Sequence, residues 1–215
     1  MAGTFDAVAR RTMAAIYDPF MRRTEAACLT EWRGSLLASA RGDVLEVGAG
    51  TGANLAHYAD RVRSLTLAEP DANMRRQLDA KLEGGAAVPA ARVTTWAIER
   101  VDAPDHTFDT VVATLVFCSV ASQAEALAEV RRVLKPGGRL LFIEHVAAEG
   151  YPSREALQRA VDPLWCRVAG GCHVTRDTAG AMRDAGFVFE QFTRESMRKA
   201  LPFLRPTIRG VARPA

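Results

Sequence analysis

The segment VLEVGAGTGANL, Val44 to Leu55, places a short apolar run directly before a cluster of glycines. Val44–Val47 has the residue types of a buried strand, and Gly48, Gly50 and Gly52 follow it at once. A glycine loop at the end of a strand lets a ligand approach the backbone closely. The same residues also satisfy the loose dinucleotide fingerprint G-x-G-x-x-[GA], so the loop predicts a ligand site without identifying the ligand.

The composition is that of one globular domain. Of 215 residues, 48% are hydrophobic and 25% are charged, which is enough for one α/β domain and short for two. The net charge of +3 comes without a dense basic block, so nucleic acid is not expected as a partner. No apolar run reaches the length of a membrane span, about eighteen residues, and none resembles the core of a signal peptide. We therefore expect a cytoplasmic protein with no membrane span.

The cysteines are expected to be reduced thiols, because no export signal precedes them. They are Cys28, Cys118, Cys166 and Cys172. His173 follows the last of them, but no C-x-x-C or H-x-x-x-H spacing is present. No metal site is predicted.

Short apolar runs predict strands that are covered on both faces, and helical patterns separate them. The predicted strands are Val44–Val47, Ser64–Ala68, Arg92–Trp96, Thr110–Leu115 and Arg139–Glu144. The predicted helices between them are Gly52–Ala59, Asp71–Leu82 and Ser122–Leu134. This alternation predicts a Rossmann-like, doubly wound α/β fold with a mainly parallel sheet.

The flanking segments add to this domain. Residues 1–40 are expected to form N-terminal lid helices ahead of a main domain at 41–215, with one domain overall. A cap insertion is expected at about 147–175, followed by a helix from Thr175 to Ala185. FVFEQFT and TIRGVARP are expected to pair as a terminal antiparallel hairpin, which brings the sheet to seven strands.

Two carboxylates distinguish between the candidate ligands. Glu46 lies two residues before the first glycine of the loop, where its charge would repel a pyrophosphate and attract an ammonium group. Glu69 ends the second predicted strand, where a carboxylate can accept hydrogen bonds from two ribose hydroxyls. An amino-acid ammonium group and a ribose together describe S-adenosylmethionine.

Four ordered segments carry a family resemblance. VLEVGAGTG, LAEPDANM, FDTVVATLVFCSV and RRVLKPGGRLLFIEHV resemble motifs of the class I S-adenosylmethionine-dependent methyltransferases of the ubiquinone/menaquinone type. The C-terminal half, with EHVAAE, DPLW, GC and TRD, is similar to the alkyl thiol methyltransferases. Those relatives carry a membrane-anchoring N-terminal helix, which is not expected in this chain.

The resemblance implies a cofactor site at the ends of the strands. The residues expected to bind S-adenosylmethionine are Glu46, Gly48, Ala49, Gly50, Gly52, Asn54, Glu69, Pro70, Met74, Ala97, Ile98, Thr114 and Leu115, with Tyr17 closing over the cofactor. The acidic residue that often contacts adenine in the family falls on Ala97, so adenine would depend on the Ile98 backbone N–H and on apolar packing. A plain tight turn, a solvated Glu69 and a surface Tyr17 are the structural alternatives.

The acceptor side is less well defined. Phe117, Cys118, Trp165 and His173 are expected to bind the acceptor, and packing roles are the alternative for each. His145, at the end of the fifth predicted strand, is the first candidate for a general base, and a packed structural histidine is an equal alternative. Glu144 is the second catalytic candidate, because it could orient His145 or itself face the pocket. His173 is a weaker candidate for the same role.

The expected activity is methyl transfer to a small, partly apolar acceptor, with a thiol favoured over a phenol, an amine or the carbon of a secondary metabolite. A nicotinamide-dependent oxidoreductase and a non-catalytic cofactor-binding protein are the alternatives. The expected assembly is a monomer or homodimer, and the composition, rich in Ala and Arg, favours a bacterial source.

Overall fold

A computed structural model describes residues 2–58, 60–85 and 91–215, without the side chains of 2–7, 9 and 10. Its strands are β1 Gly42–Val47, β2 Val62–Ala68, β3 Ala91–Thr94, β4 Phe108–Thr114, β5 Leu134–His145, β6 Phe187–Ser196 and β7 Pro206–Pro214. Its α-helices are α1 Ala2–Thr24, α2 Thr30–Leu37, α3 Ala72–Glu83, α4 Gln123–Val133, α5 Pro152–Val168 and α6 Thr178–Asp184. A π-helical turn, Glu25–Leu29, joins α1 to α2.

The strands form one sheet of seven in the order β3-β2-β1-β4-β5-β7-β6. Strands β1 to β5 pair in parallel, whereas β7 is antiparallel to both β5 and β6. The predicted Rossmann-like sheet with a terminal hairpin is confirmed. Because β1 lies between β2 and β4, the strand order reverses beside the glycine loop, which is where ligands bind in open α/β sheets.

The sheet is buried on both faces because alternate residues of each strand enter different apolar cores. Leu45 of β1 packs in the same core as Val111 and Leu127. Its neighbour Val44 packs in the opposite core with Leu37 of α2. The central strands therefore appear in the sequence as continuous apolar stretches, as is typical of parallel sheets that are covered on both faces.

Two local predictions are wrong. The predicted helix Gly52–Ala59 is a turn followed by a single 3₁₀ turn, Leu55–His57, because Gly52 has a φ of +82°, which a right-handed helix cannot contain; Ala59 lies outside the described residues. The last helix begins after Asp177 and not after Thr175, because the carboxylate of Asp177 accepts a hydrogen bond from the N–H of Gly180.

The terminal segments cover the sheet near the glycine loop. Helix α1 contacts both α3 and α5, and α5 lies within the segment predicted as a cap. No helix in the described ranges combines the length and apolar character needed to cross a membrane.

Candidate functional site

The three glycines of the loop after β1 all have left-handed backbone conformations, with φ of +61° at Gly48, +58° at Gly50 and +82° at Gly52. A Cβ added at Gly48 would lie 2.6 Å from a methyl group of Val116, and one at Gly52 would lie 2.8 Å from Leu55. At Gly50 the nearest atom would be the Gly48 carbonyl oxygen, at 3.9 Å. Contacts with neighbouring side chains therefore explain why Gly48 and Gly52 lack a side chain, whereas Gly50 faces open space.

The open space is a cleft of about 380 Å³ at the carboxyl edge of the sheet. Many of the residues predicted to bind the cofactor lie in its wall: Tyr17, Gly48, Gly50, Glu69, Pro70, Met74, Ala97, Ile98, Thr114 and Leu115. The rest of the wall comes from Met13, Asp71, Glu99, Val116, Ser119, Val120, Ala121, Ala169 and Gly170. The structure thus brings residues from six distant stretches of the chain to one cavity.

The Glu69 carboxylate is fixed at one end of the cleft. Its Oε2 accepts a hydrogen bond from the Gly50 N–H at 2.8 Å, and its Oε1 accepts one from the Asp71 N–H at 2.8 Å. Burial raises the pKa of Glu69. Since each carboxylate oxygen has a second lone pair, the side chain can still accept hydrogen bonds from two ligand hydroxyls.

Leu115 has an unusual backbone at the end of β4. Its φ is +61°, although it is not a glycine, and its N–H donates to the Ile143 carbonyl at 2.7 Å. Such conformations cost of order 1–3 kcal/mol and cluster at ligand sites. The conformation turns the chain from β4 into the Val116–Ala121 wall of the cleft.

Glu46 is placed differently from its prediction. Its side chain is buried, with Oε1 accepting a hydrogen bond from Asn54 Nδ2 at 2.9 Å and Oε2 accepting one from the Tyr58 hydroxyl at 2.6 Å. Burial raises the pKa of Glu46 to about 7. Among the described residues, Glu46 and Asn54 do not line the cleft, and they support the loop from behind.

Arg33 is a buried cation that the sequence reasoning did not identify. Its Nη1 donates to Asn54 Oδ1 at 2.8 Å and to Thr114 Oγ1 at 3.0 Å, and its Nη2 donates to Glu25 at 3.0 Å. Arg33 thereby links the N-terminal helices to the glycine loop and to β4. The only sequence signal was an arginine within an apolar helical segment, which is too common to be diagnostic.

Ala49 and Gly52 shape the glycine loop. The Ala49 N–H donates to the Ala68 carbonyl at 3.1 Å, and the Gly52 N–H donates to the Ala49 carbonyl at 2.9 Å. These bonds close the loop against β2. Neither residue belongs to the described cleft wall.

Three of the four residues predicted to bind the acceptor pack in apolar clusters outside the described cleft wall. Phe117 is fully buried in the core that contains α4. Cys118 and Trp165 belong to a smaller apolar cluster with Leu204, and the Trp165 ring lies 5.2 Å from that of Phe203. Within the described part of the chain, the cleft wall instead includes Met13 and Tyr17 of α1, the Ser119–Ala121 segment and Ala169–Gly170.

Glu144 and His145 are also absent from the described wall of the cleft. The Glu144 carboxylate accepts hydrogen bonds from the N–H groups of Val116, at 2.9 Å, and Cys118, at 3.3 Å. It therefore holds the segment after β4 in place. Burial lowers the pKa of His145 to about 4, which leaves its ring neutral and enclosed by protein.

His173 remains accessible beside this region. Its side chain is 39% exposed, and its Nδ1 lies 2.8 Å from Asp162 Oδ2. All four cysteines are free thiols. No group of three acidic, histidine or cysteine residues in the described ranges could hold a metal ion.

Comparisons with known proteins agree with this geometry. Residues 45–142 match a family model described as a methyltransferase domain. The human thiol S-methyltransferase TMT1A is 36% identical over 170 residues, which cover 79% of this chain and 69% of that protein. The ubiquinone/menaquinone biosynthesis C-methyltransferase UbiE of Cellvibrio japonicus is 30% identical over 178 residues, covering 69% of this chain and 68% of UbiE.

The chain spans between 55% and 69% of the lengths of the human, rat and mouse thiol S-methyltransferases that it matches. Among solved structures, a SAM-dependent methyltransferase of Leishmania major superposes with a TM-score of 0.67 at 14% identity, covering 99% of this chain and 82% of that one. At that identity the likeness shows the fold alone.

Proposed function

The chain belongs to the class I S-adenosylmethionine-dependent methyltransferases, and from this premise we propose that it methylates a small, partly apolar thiol. The observation that carries the proposal is the corner formed by Gly50 and Glu69, where an open backbone position meets a fixed carboxylate. A ribose can bind to that carboxylate through its hydroxyls, and membership of the methyltransferase family indicates that this ribose belongs to S-adenosylmethionine.

The residues of the cleft fit the cofactor in three parts. Glu69 would accept the ribose hydroxyls. Met74, Ala97 and Ile98 would enclose the adenine, and the backbone at Gly48, Thr114 and Leu115 would hold the methionine portion. When bound, S-adenosylmethionine supplies a methyl group activated by a positively charged sulfur.

Glu46 has a narrower role in this proposal than the sequence suggested. Its side chain does not belong to the described wall of the cleft, and its two oxygens accept hydrogen bonds from Asn54 and Tyr58. We propose that it fixes the Gly48–Gly52 backbone through Asn54. Arg33 of α2 holds the same Asn54 side chain through its Oδ1.

The protein contributes mainly by positioning the acceptor and excluding water. An in-line displacement requires the attacking atom, the methyl carbon and the sulfur to be aligned, and such alignment can supply about 7–11 kcal/mol of barrier reduction. Tyr17 and Met13 of α1 line the cleft together with Ala169 and Gly170, and Met13 packs against the apolar cluster that contains Ala169. Burial raises the pKa of Tyr17, so its phenol is neutral and can line an apolar acceptor site.

The thiol acceptor is supported by the similarity to the human thiol S-methyltransferase TMT1A, which is 36% identical. A phenol, an amine or a carbon acceptor fits the same walls. The test offers S-adenosylmethionine with an isotopically labelled methyl group to matched thiols, phenols and amines, and detects the products by mass spectrometry.

We expect a labelled thioether from alkyl or aryl thiols in excess of every other product. A labelled ether or N-methyl product without a thioether would overturn the thiol assignment and retain methyl transfer. Binding of S-adenosylmethionine without any product would favour a non-catalytic role. The variant Gly50→Val serves as the inactive control.

A further inference from the structure

His173 and Asp162 form a hydrogen-bonded pair where the predicted cap meets the segment that follows β4. Nδ1 of His173 lies 2.8 Å from Asp162 Oδ2, and Asp162 Oδ1 accepts a hydrogen bond from the Val174 N–H at 2.7 Å. A carboxylate can only accept, so the ring places its proton on Nδ1 and leaves Nε2 with a free lone pair. Asp162 is 14% exposed and His173 is 39% exposed, so the orienting group is covered and the ring is reachable.

Backbone contacts place this pair next to the acceptor end of the cleft. The His173 N–H donates to the Cys118 carbonyl at 2.8 Å, and Cys118 directly precedes the wall residues Ser119–Ala121. A Cβ added at Gly171 would lie 3.0 Å from the Ser119 carbonyl oxygen. The predicted cap and the segment that follows β4 are therefore in direct contact beside Cys118 and Ser119.

We propose that Asp162 and His173 act as a proton-accepting dyad for the thiol acceptor, an inference that rests on the proposed function. An orienting carboxylate, a fixed tautomer and a free Nε2 are the parts that a general base requires. His145 lacks the first of these, because its Nδ1 is buried without a hydrogen-bond partner. Its ring is also enclosed, whereas the His173 ring is 39% exposed and the His173 backbone contacts Cys118, next to the wall residue Ser119.

The proton and the electron pairs balance without a further reactant. The S–H bond of the acceptor breaks, and its proton passes to His173 Nε2. The acceptor sulfur forms a bond to the methyl carbon while the bond from that carbon to the donor sulfur breaks, and that electron pair stays on the donor sulfur. The proton on His173 then leaves to solvent.

A pair of thiols tests this role. 2-Mercaptoethanol is largely protonated at neutral pH and needs a base, whereas 4-nitrothiophenol is already ionised. We expect His173→Gln to lower kcat for 2-mercaptoethanol about 100-fold or more, within the usual range for general-base help. The same variant should leave kcat for 4-nitrothiophenol nearly unchanged. Asp162→Asn should show the same selective loss, and calorimetric affinity for S-adenosylmethionine should be unchanged in both.

His106 provides the matched control, because its Nδ1 lies 2.9 Å from the Leu134 carbonyl oxygen, at the opposite edge of the sheet. His106→Gln should leave both thiol rates unchanged. If His173→Gln lowered kcat equally for both thiols, the pair would have a structural role only and the proposal would be overturned. Full activity of this variant on 2-mercaptoethanol would overturn it as well. If the wild-type protein methylates neither thiol, the thiol assignment itself fails and the dyad falls with it.

Discussion

Replacing Gly50 by valine should abolish cofactor binding while the fold persists. The residue has a φ of +58°, and a non-glycine residue there costs roughly 1–2 kcal/mol, somewhat more for a β-branched side chain. That cost is small against the stability of about 5–15 kcal/mol of an ordinary domain. No protein atom lies within 3.9 Å of the added Cβ, so the new side chain enters the cleft without a clash.

The loss of affinity follows from the occupied volume. Forcing extra carbon atoms into a filled site typically costs 1–3 kcal/mol for each change, and each 1.4 kcal/mol is a factor of ten in affinity. The valine side chain adds three carbons where the cofactor backbone would lie, so we expect affinity for S-adenosylmethionine to fall by at least about 100-fold. Isothermal titration calorimetry measures this directly, with thermal unfolding as the check on the fold.

Gly137→Val is the matched control. Gly137 has a φ of +76°, and no atom lies within 4 Å of an added Cβ, but it lies in the turn at the start of β5, at the opposite edge of the sheet. Its variant should carry the same backbone strain and bind the cofactor normally. Normal binding by Gly50→Val, or equal losses in both variants, would refute the assignment of the cleft.

Three further predictions concern buried carboxylates and His145. Glu69→Ala should weaken S-adenosylmethionine binding by ten-fold or more in calorimetry, because a hydrogen bond to a charged group is worth about 1.5–3 kcal/mol; unchanged affinity would remove Glu69 from the site. Glu46 has a folded pKa raised from 4.5 to about 7, so its stabilising contribution is present below pH 4.5 and lost as the pH rises through 7. In urea unfolding, the free energy of unfolding of the wild type should fall by about 3 kcal/mol relative to that of Glu46→Gln between pH 4.5 and pH 8. The same pH dependence of this free energy in both proteins would contradict the prediction. In the folded protein the pKa of His145 is lowered from 6.5 to about 4, so the free energy of unfolding decreases as the pH falls through that interval. By pH 5 this free energy should have decreased by about 2 kcal/mol more in the wild type than in His145→Asn. Equal decreases would show that the ring can be protonated in the folded protein.

The order of the elements could be predicted from the sequence because each central strand is a short apolar run with its own boundary signals. Ser122 and Asp71 cap α4 and α3 by accepting N–H bonds from the first turn, as their residue types suggest. The helix expected at Gly52–Ala59 is wrong because the local pattern does not reveal that Gly52 has a left-handed backbone conformation, at a position where a Cβ would clash with Leu55 and Leu78.

The residues of the site could be predicted from the sequence only where one residue, at or just after the end of a strand, has a recognisable chemical role by itself. Gly50 and Glu69 are in that class, and they meet through one hydrogen bond across the loop. Arg33 and Thr114 are separated by 81 positions in the chain, and no local pattern brings such a pair together. The surroundings of Glu46 likewise depend on Tyr58, which follows the 3₁₀ turn Leu55–His57, a segment whose local pattern predicts a helix.

The most direct test of the cofactor site is a crystal structure of the protein with S-adenosylhomocysteine. We expect both ribose hydroxyls to lie within hydrogen-bond distance of the Glu69 carboxylate, and the ligand backbone to lie against the Cα of Gly50. We also expect the ligand sulfur beside Thr114 and Leu115. A ligand bound elsewhere, or bound in the cleft with Glu69 still contacting only the N–H groups of Gly50 and Asp71, would refute this cofactor site.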